Sequence, residues 1–253
     1  MSSPKGTAIV TGAAQGIGRA IALRLADDGF DVAVNDISAK LEQLETLVAE
    51  IKQKGQQSSA HPADVSQEEE VKDMAAQVVE RYGGLDVMVA NAGIIRVDKL
   101  TELSAEQWDQ VLNVNARGTF LCYKYAGIQM IKQGRGGRII GASSLAGKQG
   151  RPSSGAYSAS KFAVRGLTQS ADWPLAQEFG PHGITVNAYA PGAVDTPMTA
   201  GIEDAAAKLE HLEFRAKHSV PEDISNLVSF LASKESQFIT GQSISINGGV
   251  FFD

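Results

Sequence analysis

The sequence holds one cysteine, Cys122, in 253 residues, so no disulfide can form within the chain. That thiol reads as a small apolar residue on a helix, and a reducing, intracellular setting fits it. No apolar stretch reaches the roughly 18 residues that a membrane helix needs. The opening MSSPKGTAIV carries no signal-peptide core, and the first strand follows almost at once. A cytoplasmic protein without a membrane partner is the expectation. Basic residues are in deficit, with 23 Lys and Arg against 29 Asp and Glu for a net charge of −6. That balance argues against nucleic acid as a partner. Four histidines (His61, His182, His211, His218) show no HExxH-type spacing, and no metal site is expected. Linkers, fixed-period repeats and low-complexity runs are also missing, which points to one domain over 1–253.

What is present alternates. Short apolar, β-branched runs at 7–11, 30–36, 58–64, 85–93, 137–144, 183–192 and 242–248 read as strands. Between them, helical periodicity covers 16–28, 38–54, 67–82, 104–133 as one long helix, 155–179 and 221–233. In the second helix, for example, Leu41, Leu44, Val48 and Ile51 fall on one face. Strands of near-continuous apolar character alternating with helices predict an α/β fold, a parallel sheet covered on both faces.

The first strand runs into TGAAQGIG, which sets Gly12, Gly16 and Gly18 between a strand and a helix. Glycines there allow a tight turn, close approach of backbone to a pyrophosphate, and close helix–strand packing. The helix N-terminus then offers free N–H groups and the positive end of its dipole. Asp36 closes the second strand, 18 residues after Gly18. A carboxylate in that place accepts hydrogen bonds from ribose hydroxyls and repels a 2′-phosphate. No base follows it at Ile37 or Ser38, and none lies between Gly12 and Gly16. NAD(H) is therefore expected over NADP(H). Arg19, the nearest base, lies inside the helix and reads as surface charge. Asp64 and Val65 either contact the adenine amine or belong to the start of the next helix.

Tyr157 and Lys161 stand four residues apart, and Ser144 precedes the tyrosine by thirteen. Residues four apart on a helix share a face. An ammonium there is expected to lower the tyrosine pKa, which suits a group that gives and takes a proton. A strand-end hydroxyl at Ser144 suits a bond to a carbonyl oxygen. On the spacing alone, an ordinary helix with a solvated lysine is the other reading.

Together, TGAAQGIG, Asp64-Val65, Asn91-Ala92-Gly93, Asn115 in NVNARGTF, Ser144, Tyr157-x3-Lys161 and Pro191-Gly192 through Thr196 resemble the classical short-chain dehydrogenases/reductases, from the first strand to the terminal NGG. The resemblance implies a Rossmann-type doubly wound sheet of about seven parallel strands, a nicotinamide cofactor, here NAD, and a homotetramer. It implies Tyr157 as general acid/base, with Lys161 lowering its pKa and holding the nicotinamide ribose. Ser144 polarises the substrate oxygen, and Asn115 braces a water leading to the lysine. Asn91, Ala92 and Gly93 line the adenine ribose. Pro191, Gly192 and Val194 flank the nicotinamide, and Thr196 bonds its carboxamide. Gln15, Ile17 and Ile37 complete the cofactor set.

The implied reaction interconverts a secondary alcohol and a ketone. The segments SASKFAVRGLTQSA and HGITVNAYAPGAVDTPM are similar to acetoin/diacetyl reductases, and also to sugar-alcohol dehydrogenases and 3-oxoacyl reductases. Apolar Leu145 after the serine departs from the butanediol enzymes and favours a bulkier substrate. Arg151 either meets an anionic group or is a solvated loop residue. The substrate lobe, about 197–220, is short, which implies either an open cleft tolerant of larger substrates or a lid that orders only on binding. The helices over 104–133 and 155–179, and the apolar end GVFFD, are candidate self-association surfaces. The reading from another class is a catalytically idle dinucleotide sensor, against which the intact Ser144, Asn115, Tyr157 and Lys161 weigh.

Overall fold

The computed structural model describes residues 4–171, 178–200 and 219–252. Seven strands alternate with helices: β1 (Thr7–Val10), α1 (Gly16–Asp27), β2 (Asp31–Asp36), α2 (Leu41–Gln53), β3 (Ser58–Pro62), α3 (Glu68–Tyr82) and β4 (Val87–Ala90). Then come α4 (Ala105–Leu112), α5 (Gly118–Gln133), β5 (Gly137–Ala142), α6 (Gly155–Ser170), β6 (Ile184–Pro191), α7 (Pro221–Ala232) and β7 (Ser243–Ile246). All strands pair in parallel in one sheet, ordered β3-β2-β1-β4-β5-β6-β7. The order reverses between β1 and β4, which is the Rossmann arrangement expected from the sequence. Among the described residues no helix is long and apolar enough to cross a membrane.

Each face of the sheet has its own core. On one, Ile21 and Leu25 of α1, Leu44 and Leu47 of α2, and Ile224 and Val228 of α7 pack on Val10, Val32 and Val34. On the other, Met74 and Val78 of α3 and Leu121 and Met130 of α5 pack on Ile9, Met88 and Ile139. Strand residues 8, 9 and 10 are completely buried although they point alternately to the two faces. Covering both faces is what forces the continuous apolar runs.

Two helices depart from expectation. The run 104–133 is not one uniform helix: residues Asn113–Arg117 form a π-helical turn between α4 and α5. Apolar periodicity continues through such a turn, so the sequence pattern hides it. Within that turn the Asn115 amide bonds the Ile94 backbone outside the helix. The run 155–179 ends earlier as helix, at Ser170, with Phe179 already in a turn that leads to β6. Residues 172–177 lie outside the described residues, as do 201–218, most of the proposed substrate lobe.

β5 carries the site residues at its C-terminal end, so its seating matters. Gly141 faces α5 so closely that an added methyl would overlap the Tyr123 hydroxyl. That hydroxyl is buried and shares a 2.9 Å hydrogen bond with Thr168 of α6. Gly141→Ala is expected to lower unfolding free energy by about 1–3 kcal/mol, an overpacking cost in an interior that cannot yield. Chemical denaturation of the variant beside the parent measures it.

Candidate active site

A cleft of about 490 Å³ opens over the C-terminal ends of β1, β2, β4 and β5. One wall is the glycine loop, with Gly12, Gln15, Gly16, Ile17 and Gly18. Gly12 and Gly16 have φ of +63° and +55°, the left-handed region that side chains avoid. Gly18 has no such need: a methyl there would run into the Gly12 carbonyl and the Asn91 amide. These glycines thus set the turn and the close packing. No side chain caps the N-terminus of α1, which leaves its first N–H groups to the cleft.

At the far end, Asp36 Oδ1 accepts from the Ile37 amide (2.9 Å) and Oδ2 from Ala14 N (3.2 Å). The carboxylate therefore braces the glycine loop while both it and Ile37 line the cleft. Asp64 and Val65 line the same end, and Asp64 Oδ1 also accepts from Ser66 N (2.9 Å), turning the chain toward α3. Arg19 lies away from this end, both oxygens of Glu50 being 2.6 Å from its guanidinium. Lys40 does line it, and no ion pair involves Lys40 among the described residues. In the sequence that lysine stands four residues beyond Asp36, at the end of the short turn Ser38–Lys40.

Asn91, Ala92 and Gly93 form the wall after β4. Thr11 Oγ1 accepts from both the Asn91 and Ala92 amides (3.0 Å each), which ties β4 to β1 where the sheet splits. Pro191 and Thr196 close the opposite side, with Pro197 and Met198 beside them. Gly192 does not line the cleft but donates to Ile246 O (3.1 Å), and Val194 is buried in the core.

The polar floor combines α6 with the end of β5. Lys161 is almost wholly buried, and its ammonium donates to the Ala142 carbonyl (2.8 Å). Burial pulls its pKa down to about 8. Its Nζ lies 5.4 Å from the centre of the Tyr157 ring. Tyr157 differs from expectation. Burial, which disfavours a phenolate, pushes its pKa up, and the Ser144 hydroxyl in hydrogen-bonding reach works the other way. The net lowering expected from the four-residue spacing is not found, because burial of the phenol dominates. Ser144 also accepts from Ala146 N (3.1 Å), whereas Ser143 donates to the Lys161 carbonyl (3.0 Å).

Asn115 stands behind this floor, fully buried. Its Oδ1 accepts from Ile94 N (2.8 Å), and its Nδ2 donates to Ile94 O (2.9 Å) and Ser160 Oγ (3.0 Å). Ser160 in turn donates to the Tyr157 carbonyl (2.7 Å). Ser160 and Tyr189, which also lines the cleft, were not singled out from the sequence; both sit in runs whose pattern is fully explained by helix or strand packing. Leu145 is buried in the turn after Ser144, and Arg151 is exposed on the loop before α6, outside the cleft.

Similarity to known proteins agrees with this geometry. The family profile described as Enoyl-(Acyl carrier protein) reductase matches residues 12–251. A short-chain dehydrogenase/reductase of Armillaria gallica is 54% identical, over 97% of this chain and 96% of that protein. The 3-oxoacyl-[acyl-carrier-protein] reductase FabG of Staphylococcus aureus is 44% identical over 97% and 98%. The solved acetoin dehydrogenase YohF of Salmonella typhimurium superposes with a TM-score of 0.83 at 33% identity, over 96% of this chain and 95% of that one. With its glycine loop, parallel sheet and Ser–Tyr–Lys floor, the chain belongs to the classical short-chain dehydrogenases/reductases, a family of oxidoreductases.

Proposed function

We propose that this protein is an NAD(H)-dependent oxidoreductase that interconverts a secondary alcohol and a ketone, with Tyr157 as its general acid/base. The observation that carries the reading is Tyr157 and a buried Lys161 lining the cleft that the glycine loop opens, with the Ser144 hydroxyl, itself off the cleft lining, in hydrogen-bonding reach of the Tyr157 phenol.

A dinucleotide fits the residues present. The uncapped N–H groups of α1 suit a pyrophosphate, with Gly12, Gln15, Gly16, Ile17 and Gly18 around it. Asp36, with Ile37, suits adenosine ribose hydroxyls, and Asp64 and Val65 suit the adenine. Buried Asn35, beside Asp36 on the cleft wall, keeps an Oδ1 without a partner among the described residues, a polar end that a ligand or water would satisfy. Asn91, Ala92 and Gly93 would line the adenine ribose, and Pro191 and Thr196 would meet the nicotinamide half, with Gly192 and Val194 supporting that turn from behind the cleft. The bound cofactor supplies or accepts the hydride.

The chain's own residues handle the proton. In reduction Tyr157 donates its phenolic proton to the carbonyl oxygen while Ser144 hydrogen-bonds the same oxygen as negative charge builds on it. In oxidation Tyr157 takes the hydroxyl proton. Lys161 sits where its charge favours the tyrosinate once that form is needed, and Asn115 holds α6 and the chain after β4 in register. Leu145 and Arg151 stay as proposed substrate-side residues, Leu145 for apolar bulk and Arg151 for an anionic substituent. A 3-oxoacyl substrate is the second reading, favoured by the identity to the Staphylococcus aureus reductase. A cytoplasmic homotetramer is proposed with it: Phe120, Ile128 and Phe162 stand exposed on α5 and α6, an apolar surface suited to self-association.

Three outcomes follow. Tyr157→Phe retains NADH binding and loses turnover by about 10²–10⁴-fold, the usual worth of a positioned acid/base; steady-state assay with NADH and a panel of ketones measures it. Asp36→Asn weakens NADH about tenfold or more, since hydrogen bonds to a charged group are worth about 1.5–3 kcal/mol. The same change moves preference toward NADPH, with Lys40 free to meet the 2′-phosphate; fluorescence titration with both cofactors reads the ratio. Lys161→Met is inactive yet more stable at pH 7. A buried ammonium with a pKa lowered from 10.5 to about 8 costs up to roughly 3 kcal/mol by proton linkage. That penalty is complete below pH 8 and vanishes as pH rises to 10.5, because only the unfolded lysine is protonated in between. Urea unfolding at pH 7 and pH 10 should show the gain shrinking.

A further inference from the structure

Tyr189 lies on β6, two residues before Pro191, and is buried to 1% exposure. Its ring packs in the core, but its hydroxyl does not stay there: it donates to Asn91 Oδ1 (2.7 Å) across the cleft's inner wall. The Asn91 amide passes the contact on. Its Nδ2 donates to the Thr11 carbonyl (2.8 Å) and the Gly12 carbonyl (3.1 Å), the two residues that turn β1 into the glycine loop. One side-chain amide therefore has its oxygen held by β6 and its nitrogen spent on the loop, which leaves a single orientation for it.

The other end of Tyr189 is equally placed. In the β5–β6 register it pairs with Ala142, and the Ala142 carbonyl is the acceptor of the Lys161 ammonium. Tyr189 thus spans from the strand pair that seats the lysine to the loop whose N–H groups face the cleft. Gly18 closes the arrangement, since it leaves no room for a side chain beside the Asn91 amide. Without the tyrosine hydroxyl, Asn91 Oδ1 loses its donor and the amide is free to turn away from Thr11 and Gly12.

We infer that Tyr189 is a positioning residue for the dinucleotide: its hydroxyl, acting through the Asn91 amide, sets the glycine loop in the geometry that receives the phosphates. This rests on the cleft being a dinucleotide site. Tyr189 touches no reacting atom in this role, so its removal acts on cofactor affinity and leaves the acid/base chemistry of Tyr157 alone.

The test uses the full chain and NADH itself, titrated by fluorescence at 20 °C. Tyr189→Phe keeps the ring and removes the hydroxyl; the NADH dissociation constant should rise about fivefold or more, the effect of one lost hydrogen bond with its partner left unpaired. At saturating NADH, kcat and its pH profile should match the parent. Asn91→Ser, which leaves the tyrosine intact, should weaken NADH at least as much, and the double variant should be no weaker than Asn91→Ser alone. An unchanged dissociation constant in Tyr189→Phe, even with a lowered Tm, overturns the inference, as does a double variant whose losses multiply. If Tyr189→Phe does not fold, Asn91→Ser binding NADH like the parent overturns it as well. A parent protein that binds neither NADH nor NADPH sinks the proposed function itself, and this inference with it.

Discussion

The reversal of strand order between β1 and β4 is the constraint on which the site depends. Connections leaving these neighbours run in opposite directions, so their helices cover opposite faces and none crosses the strand ends. A crevice remains where backbone groups lack sheet partners. Thr11 stitches it from below, its hydroxyl accepting two amides of the chain after β4. The glycine loop, Asp36, the Asn91–Gly93 wall and the end of β5 all gather there because the sheet brings their strand ends to one edge.

On that scaffold the polar floor is held by a few buried contacts. Lys161 bears a desolvation penalty that its bond to the Ala142 carbonyl offsets in part, and its pKa falls to about 8. Tyr157 sits under the same penalty on its charged form, so its pKa moves the other way, up, and the neutral phenol is favoured. Burial thus makes the lysine easier to discharge and the tyrosine harder to ionise. The Asn115 amide fixes where these groups stand, through Ile94 on one side and Ser160 on the other. Asn115 sits within the π-helical turn between α4 and α5.

Much of this was legible in the residues. Continuous apolar strands predicted burial on both faces, and glycines at 12, 16 and 18 predicted the loop because backbone geometry allows few substitutes there. The spacing of Ser144, Tyr157 and Lys161 pointed to one cluster. Ser160 and Tyr189 were not legible, because a serine within a helix and a tyrosine within a strand satisfy the local pattern without a further role. Nor was the π-helical turn, which leaves hydrophobic periodicity intact. The four-residue spacing also misjudged the tyrosine: proximity to a cation was readable, but burial was not.

By itself the sequence determined the fold class, the order of elements, the glycine loop and the oxidoreductase family, since these rest on periodicity, glycine sterics and motif spacing along the chain. Only the tertiary structure decided the protonation balance of Tyr157 and Lys161, the capture of Arg19 by Glu50, the presence of Lys40 beside Asp36 in the cleft and the Tyr189–Asn91 link to the glycine loop. The physical reason is common to all four. Desolvation, ion pairing and hydrogen-bond direction depend on distances between residues tens of positions apart, and those distances exist only after the sheet has closed.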